Sequence, residues 1–139
     1  GAGTSGRAPR SLRFTARMTT MSNIQRFETG PRLSRVVVHN GTVYVAGLPA
    51  TVHADDAGIQ TANILQQLDG YMEMAGTDRE HLLSVQIWVA DMARDFALMN
   101  VAWEGWVPQG TAPARATCEA ALASSDIRVE IMATAALRQ

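Results

Sequence analysis

The chain has 139 residues, and its 12 arginines stand against 13 acidic residues with no lysine, for a formal net charge of −1. This length, with 47% hydrophobic residues, indicates one small domain. No stretch approaches the roughly 20 consecutive apolar residues that a membrane helix needs. The single Cys118 can form neither an internal disulfide nor a multi-thiolate metal site. We therefore expect a cytoplasmic protein with no membrane partner.

The first 17 residues differ in composition from the rest. Four arginines and no acidic residue precede Met18. The segment loosely resembles an organelle transit peptide, but upstream sequence before a true start at Met18 or Met21 explains it as well, and we favour that second explanation. We expect residues 1–17 to be a non-native or disordered leader and residues 18–139 to form one domain. This domain holds eight arginines against 13 acids, which argues against a nucleic-acid binder.

The folded part is expected to begin near Leu33 with a β-hairpin. Alternating residues in the ranges 35–39 and 42–46 flank Asn40-Gly41. Both residues of a tight type I′ turn need positive φ, which Asn-Gly tolerates best. Gly47-Leu48-Pro49 then ends the second strand, and the polar loop from His53 to Gly58 follows.

Two helices are predicted after the hairpin, with a strand between them. The first begins at an Asp55 or Asp56 cap and ends at Gly76, with Gln60 on its outer surface and an apolar stripe of Ala62, Leu65, Leu68, Met72 and Ala75. The strand alternates Leu83, Val85, Ile87 and Val89. The second helix starts around Asp91 to Asp95, carries Phe96, Met99, Trp103 and Val107, and ends before Pro108.

Two final strands, about 114–121 and 127–135, complete the order β-β-α-β-α-β-β. The predicted fold class is therefore α/β (α+β), with two helices packed on one face of a mixed sheet. The other face must meet water or another subunit. Its expected residues, among them Ala46, Trp88 and Met132, are weakly charged, which favours an oligomer.

Common catalytic motifs are absent from the sequence. The three histidines, His39, His53 and His81, match no metal spacing, and no phosphate-binding glycine loop or nucleophile elbow occurs. We expect no metal and no cofactor, and each histidine is expected at the surface or in a loop. Cys118 is interpreted as a small buried hydrophobic residue rather than a nucleophile.

Arg115 stands out because it enters a strand otherwise made of small residues, Pro113-Ala114-Arg115-Ala116-Thr117-Cys118. An arginine there needs an anionic partner. Its planar fork can bind a ligand carboxylate through two parallel hydrogen bonds, which lysine cannot do. The alternative is a structural ion pair with Glu119, Glu130 or an acid of another subunit, and the residues alone favour neither.

Several segments in matching order resemble the RidA/YjgF family, especially its YoaB-like branch. They are Val43-Tyr44-Val45-Ala46-Gly47, Gln60-Thr61-Ala62-Asn63, Asp91-Met92 with 95–100, Pro113-Ala114-Arg115 and Val129-Glu130-Ile131. The resemblance covers about residues 33–137. It implies a chorismate-mutase-like domain that assembles as a homotrimer, with ligand sites in clefts between subunits.

The resemblance also implies an activity, the hydrolysis of reactive 2-imino acids or their enamine tautomers to 2-oxo acids and ammonia. Arg115 matches the arginine that holds the substrate carboxylate, and Glu130 matches the acid that positions or activates water. Asn100 matches a cleft asparagine, while Gly47 and Thr117 fall where main-chain groups line the pocket. Glu130 alternates with Val129 and Ile131, so we expect it on the face without helices.

Three departures from the main deaminase branch weaken this expectation. Arg32 or Leu33 replaces an aromatic residue, Ala46 replaces a serine, and Thr117 replaces a cysteine, with Cys118 one place away on the opposite face of its strand. The alternative is a non-catalytic trimer that binds small carboxylates such as 2-oxo acids. A ribonuclease activity, often attributed to the family, is disfavoured by the acidic domain.

Overall fold

The computed structural model describes residues 23–139, and the leader predicted at residues 1–17 lies outside them. One mixed sheet has the strand order β1-β2-β3-β6-β4-β5, in which β4 and β5 are parallel and all other pairs are antiparallel. The elements in chain order are β1 (Gln25–Thr29), β2 (Ser34–His39), β3 (Thr42–Pro49), α1 (Ala57–Ala75), a 3₁₀ turn (Arg79–His81), β4 (Leu82–Val89), α2 (Met92–Trp106), β5 (Ala114–Glu119) and β6 (Val129–Ala136).

Strand β1 was not expected, because the folded part was predicted to begin near Leu33. β1 pairs with β2 along the sheet edge, and only Phe27 of this strand packs against the core. The other four side chains are exposed. A strand with one inward apolar residue lacks the alternation from which strands are recognised, so the sequence did not reveal it.

The turn and the helix ends follow the sequence predictions. Asn40 and Gly41 have φ of 51° and 79°, as the type I′ turn requires. Asp56 caps α1 by accepting from the Ile59 amide at 2.9 Å. Gly76 ends α1 in the left-handed conformation with φ 94°. The sequence therefore predicted both ends of α1 correctly.

The core lies between the two helices and one face of the sheet. It contains Val36, Val43, Val45, Ile64, Leu65, Leu68, Met72, Val85, Ile87, Met99, Val129 and Ile131. The predicted packing of two helices on one face of the sheet is thus confirmed. None of the helices within residues 23–139 is long and apolar enough to cross a membrane.

Three side-chain positions predicted for α1 and β4 were wrong. Ala62 is exposed, and Ile64 takes its place in the core. Gln60 is buried rather than on an outer surface, because its amide binds Ala54 O, Asp126 O and the Arg128 amide across two loops. Leu83 is exposed and Leu82 is buried, because the pairing of β4 with β6 slips by one residue between Leu82 and Ser84.

The sheet face without helices is weakly charged and partly apolar. Tyr44 and Met132 are 49% and 43% exposed, and Ala46 and Trp88 are half-buried. An open apolar sheet face is typical of an interface between subunits. In this respect the composition of that face agrees with the sequence prediction.

Candidate functional site

Arg115 lies on the edge strand β5 and faces α2. Its register partner on β4 is Val85, and the partner of Thr117 is Ile87. Both partners are core residues, and paired residues of neighbouring strands lie on the same face of the sheet. Side chains two apart share a face of a strand. Arg115 and Thr117 are therefore on the helix-covered face of the sheet.

The start of α2 is tied to the end of β5, which fixes the distance between Arg115 and the helix. The Asp91 carboxylate accepts from the Arg94 amide at 3.0 Å, and the buried Asp95 accepts from the Asp91 amide at 3.1 Å. The Glu119 carboxylate accepts from the Met92 amide at 2.8 Å. A negative charge at a helix N-terminus is also favoured by the helix dipole.

The Arg115 guanidinium is half-buried against three residues of α2. Its Nη1 donates to Asn100 Oδ1 at 2.9 Å and lies 4.0 Å from Met99 Sδ, and its Cζ is 5.5 Å from the Trp103 ring centroid. Burial lowers the pKa of Arg115, and the charge of Glu104 acts in the opposite direction. The guanidinium remains a cation at any physiological pH.

No acidic side chain in residues 23–139 forms an ion pair with Arg115. Of the partners considered from the sequence, Glu119 caps α2 and Glu130 lies on the other face of the sheet. A structural ion pair within the described chain is thus excluded. The Nε and Nη2 donors make no hydrogen bond within this part of the chain, which leaves one edge of the fork for an anion.

The side chains that follow Arg115 point in opposite directions. Thr117 Oγ1 is buried and makes no hydrogen bond within the described residues. Cys118 is exposed on the helix-free face, 3.6 Å from Gln86 Nε2, so the expectation that it is buried was wrong. β5 is an edge strand with no helix on that side, and this is why its outer side chains stay open in the single chain.

Gly47 and Glu130 meet on the helix-free face. The pairing of β3 with β6 contains an extra residue between Val45 and Leu48, and Pro49 is the register partner of Glu130. A Cβ on Gly47 would collide with Glu130 Oε2. Gly47 has no positive φ, so its contribution here is the room that it leaves for the Glu130 carboxylate, the end of which would have to shift if a Cβ were present.

The candidate residues therefore form two groups on opposite faces of one sheet. Arg115, Asn100 and Thr117 lie on the side of α2, whereas Gly47 and Glu130 lie on the open face, as predicted for Glu130. The chain does not bring Arg115 and Glu130 together. A site that uses both must combine one group from each of two copies.

Other residues named from the sequence contribute little to either group. Arg32 and Leu33 lie in the exposed connection between β1 and β2, and Ala46 is half-buried in β3 next to Gly47. Within residues 23–139, no group of three metal-binding side chains is close enough to hold an ion. Trp103 was predicted only as a core residue, and its contact with Arg115 was missed because it depends on how α2 packs on β5.

This fold, with a half-buried arginine on one face of the sheet and a glutamate over a glycine on the other, defines a class of small α+β proteins. Residues 23–137 match the family model described as Endoribonuclease L-PSP. The chain belongs to this family, which is also called RidA/YjgF.

Individual relatives place the chain in the YoaB-like branch. It is 43% identical to the RutC family protein YoaB of Escherichia coli strain K12 over 114 residues, which are 82% of this chain and 98% of that protein. A RutC family protein of Haemophilus ducreyi is 40% identical over 114 residues, covering 82% and 97%. The crystal structure of NMB1025, a YjgF family member from Neisseria meningitidis, superposes with a TM-score of 0.82 at 40% identity, covering 84% of this chain and 97% of that chain.

Proposed function

We propose that the protein hydrolyses 2-imino acids or their enamine tautomers to 2-oxo acids and ammonia, without a cofactor, in clefts between the subunits of a homotrimer. The observation that carries the proposal is the half-buried Arg115 guanidinium, which has no acidic partner within residues 23–139 and keeps Nε and Nη2 free. A small carboxylate supplies the missing charge and fits a bidentate contact.

The chemistry requires little beyond positioning and proton transfer. Water adds to the electrophilic iminium carbon and passes one proton to Glu130, which returns it to the amino group of the carbinolamine. The protonated amine leaves as ammonia, which takes up the remaining hydroxyl proton. The C–N bond breaks as the C=O bond forms, so no electron donor or acceptor is needed. Fixing the substrate and exchanging protons are each worth a large rate factor, about 10²–10⁴ for proton transfer.

The separation of the two groups supports a site shared between subunits. Arg115 with Asn100 would bind the carboxylate from one subunit, while Glu130 over Gly47 would hold the water from the next. The main chain at Gly47 and Thr117 would line the cleft. The weakly charged helix-free face supplies the surface for assembly.

A trimeric binder of small carboxylates that lacks catalysis is the second candidate. It is favoured by Ala46 and Thr117, since alanine has no donor and the Thr117 hydroxyl is buried rather than presented to a ligand. A binder needs Arg115 and Asn100, but not the carboxylate of Glu130. The two candidates therefore differ in turnover and not in affinity.

The deciding experiment generates 2-iminobutyrate in place from threonine with a threonine dehydratase and follows the loss of imine. If the protein is an enzyme, we expect it to accelerate the loss of imine in proportion to its amount, and we expect Arg115→Lys to abolish this acceleration. If micromolar protein does not accelerate the reaction but binds 2-oxobutyrate measurably, the enzyme hypothesis is wrong and the second candidate, a non-catalytic binder, is supported. Absence of both would refute the proposed function.

A further inference from the structure

Arg115 stands at one end of a column of four stacked side chains. The Arg79 Cζ is 4.6 Å from the Trp106 ring centroid, the Trp106 and Trp103 centroids are 5.6 Å apart, and the Arg115 Cζ is 5.5 Å from the Trp103 centroid. Each guanidinium is within the range of a cation–π contact. Two cations thus enclose a pair of tilted indole rings.

The far end of this column is held rigidly by Asp69 on α1. Its Oδ2 accepts from Arg79 Nη2 at 2.6 Å and from Trp106 Nε1 at 3.0 Å. Arg79 Nη1 also donates to the main-chain oxygen of Trp106 at 2.8 Å. Because every polar group of Trp106 and most of those of Arg79 are engaged, the Trp106 ring has a fixed position against which Trp103 packs.

The near end leaves one edge of Arg115 free. Trp103, only 6% exposed, supports the plane of the guanidinium, and Asn100 one turn earlier on α2 binds Nη1. The contacts within the described chain use the Trp103 ring and Nη1, so Nε and Nη2 keep their N–H groups for a ligand. Arginine has a long, flexible side chain, and a group that is ordered before binding loses less entropy when the ligand arrives.

We propose that Trp103 is a positioning residue for Arg115, and that the column from Asp69 to Trp103 holds the guanidinium in the orientation that receives a ligand carboxylate. The identity of that ligand rests on the proposed function. The orientation of Arg115 by Trp103 does not depend on it.

A double-mutant cycle tests this role with 2-oxobutyrate as the probe, by calorimetry on the full chain. We expect Trp103→Leu to weaken binding about tenfold, which lies between the values of an exposed and a desolvated cation–π contact, and Trp103→Phe to restore most of it. In an Arg115→Lys background, Trp103→Leu should have no further effect. Val36→Ala is the control for lost packing, because Val36 lies in the core on β2, and three strands lie between β2 and β5. Additive effects of the two variants, or an equal loss in Val36→Ala, would overturn the proposal.

A second measurement needs no ligand. The Nε–H signal of Arg115 in a nitrogen-15 spectrum can be assigned by its disappearance in Arg115→Lys. The heteronuclear NOE of this signal reports how well the guanidinium is ordered. It should fall in Trp103→Leu and be retained in Val36→Ala. An unchanged value in Trp103→Leu refutes the positioning role whatever the ligand is. A lowered value in a protein that neither binds 2-oxobutyrate nor consumes 2-iminobutyrate means that the proposed function has failed and the positioning role stands.

Discussion

At the scale of single residues, Arg115 is unusual because no carboxylate within residues 23–139 forms an ion pair with its guanidinium. A half-buried guanidinium has lost part of its hydration, yet the described chain offers it an amide oxygen, a sulfur and an indole ring rather than a carboxylate. We expect Arg115→Lys to weaken 2-oxobutyrate binding by at least about tenfold, because an ammonium cannot form the two parallel hydrogen bonds. Calorimetry on the purified variant measures this loss.

The same variant separates a binding role from a structural one. Light scattering and thermal unfolding of Arg115→Lys should match those of the parent chain, because the residue makes no ion pair within the described residues that folding would depend on. A variant that loses its assembly would show instead that Arg115 pairs with an acid of another subunit.

Glu130 distinguishes the enzyme from the binder. Glutamine has nearly the same shape and cannot take a proton from water, so Glu130→Gln should lower turnover of 2-iminobutyrate by about 10²-fold or more. Affinity for 2-oxobutyrate, held by Arg115, should change little. If turnover is unaffected, another group handles the water. If binding is lost with turnover, Glu130 serves to orient Arg115 across the subunit boundary.

Thr117 provides a prediction about stability. Its buried hydroxyl has no hydrogen-bond partner among the described residues, so Thr117→Val should raise the free energy of unfolding by about 1 kcal/mol. Thr61 is the matched control, because it is a buried threonine whose hydroxyl donates to Ala57 O at 2.7 Å. Thr61→Val should therefore lower stability. Denaturant unfolding of the two variants should give opposite signs, and destabilisation by Thr117→Val would indicate an unseen partner for that hydroxyl.

At the scale of elements, the sequence revealed what depends on neighbours along the chain. Turn residues predicted the β2–β3 hairpin, and a cap at Asp55 or Asp56 together with Gly76 predicted the ends of α1. Alternation in β6 placed Glu130 on the helix-free face. In β5 no such alternation exists, because Ala114 to Glu119 contains no run of large apolar residues, and the face of Arg115 could not be predicted.

Features that join distant segments were not predictable. The column links Asp69, Arg79, Trp106 and Arg115, which lie on four elements, and only the packing of α2 brings them together. The burial of Gln60 has the same origin, since the distant loop that contains Asp126 and Arg128 binds its amide at the first turn of α1. These features are tertiary, and a pattern of period two or 3.6 contains no information about them.

The unexpected strand β1 can be tested by truncation. A chain that begins at Met18 should keep the thermal midpoint of the full sequence, as expected if residues 1–17 are a leader. A chain that begins at Pro31 loses the partner of β2 and the packing of Phe27 on the core. We expect its midpoint to fall by about 5 °C or more, since about 1–2 kcal/mol of apolar burial is lost. Equal midpoints for the two truncated chains would show that β1 adds nothing to stability.

At the scale of the whole molecule, the sheet itself separates the two chemical groups. Helices cover the face that carries Arg115, and the opposite face carries Glu130 over Gly47. A single copy therefore cannot place Arg115 and Glu130 around one small substrate. The proposed reaction therefore requires assembly through the open, weakly charged face, in addition to any stability that assembly provides.

Subunit complementation tests this condition directly. Arg115→Lys and Glu130→Gln each disable one half of a shared site, so each homotrimer should be nearly inactive. When the two chains are unfolded together and refolded as an equal mixture, about a quarter of the sites should join an intact Arg115 from one chain to an intact Glu130 from the next. We therefore expect turnover of 2-iminobutyrate to recover to about a quarter of the parent value. The control replaces Glu130→Gln with a chain that carries both substitutions, which can form no intact site in any arrangement. If mixing restores nothing beyond this control while light scattering shows mixed oligomers, then the two residues do not act together across a subunit boundary, and the proposed site is wrong.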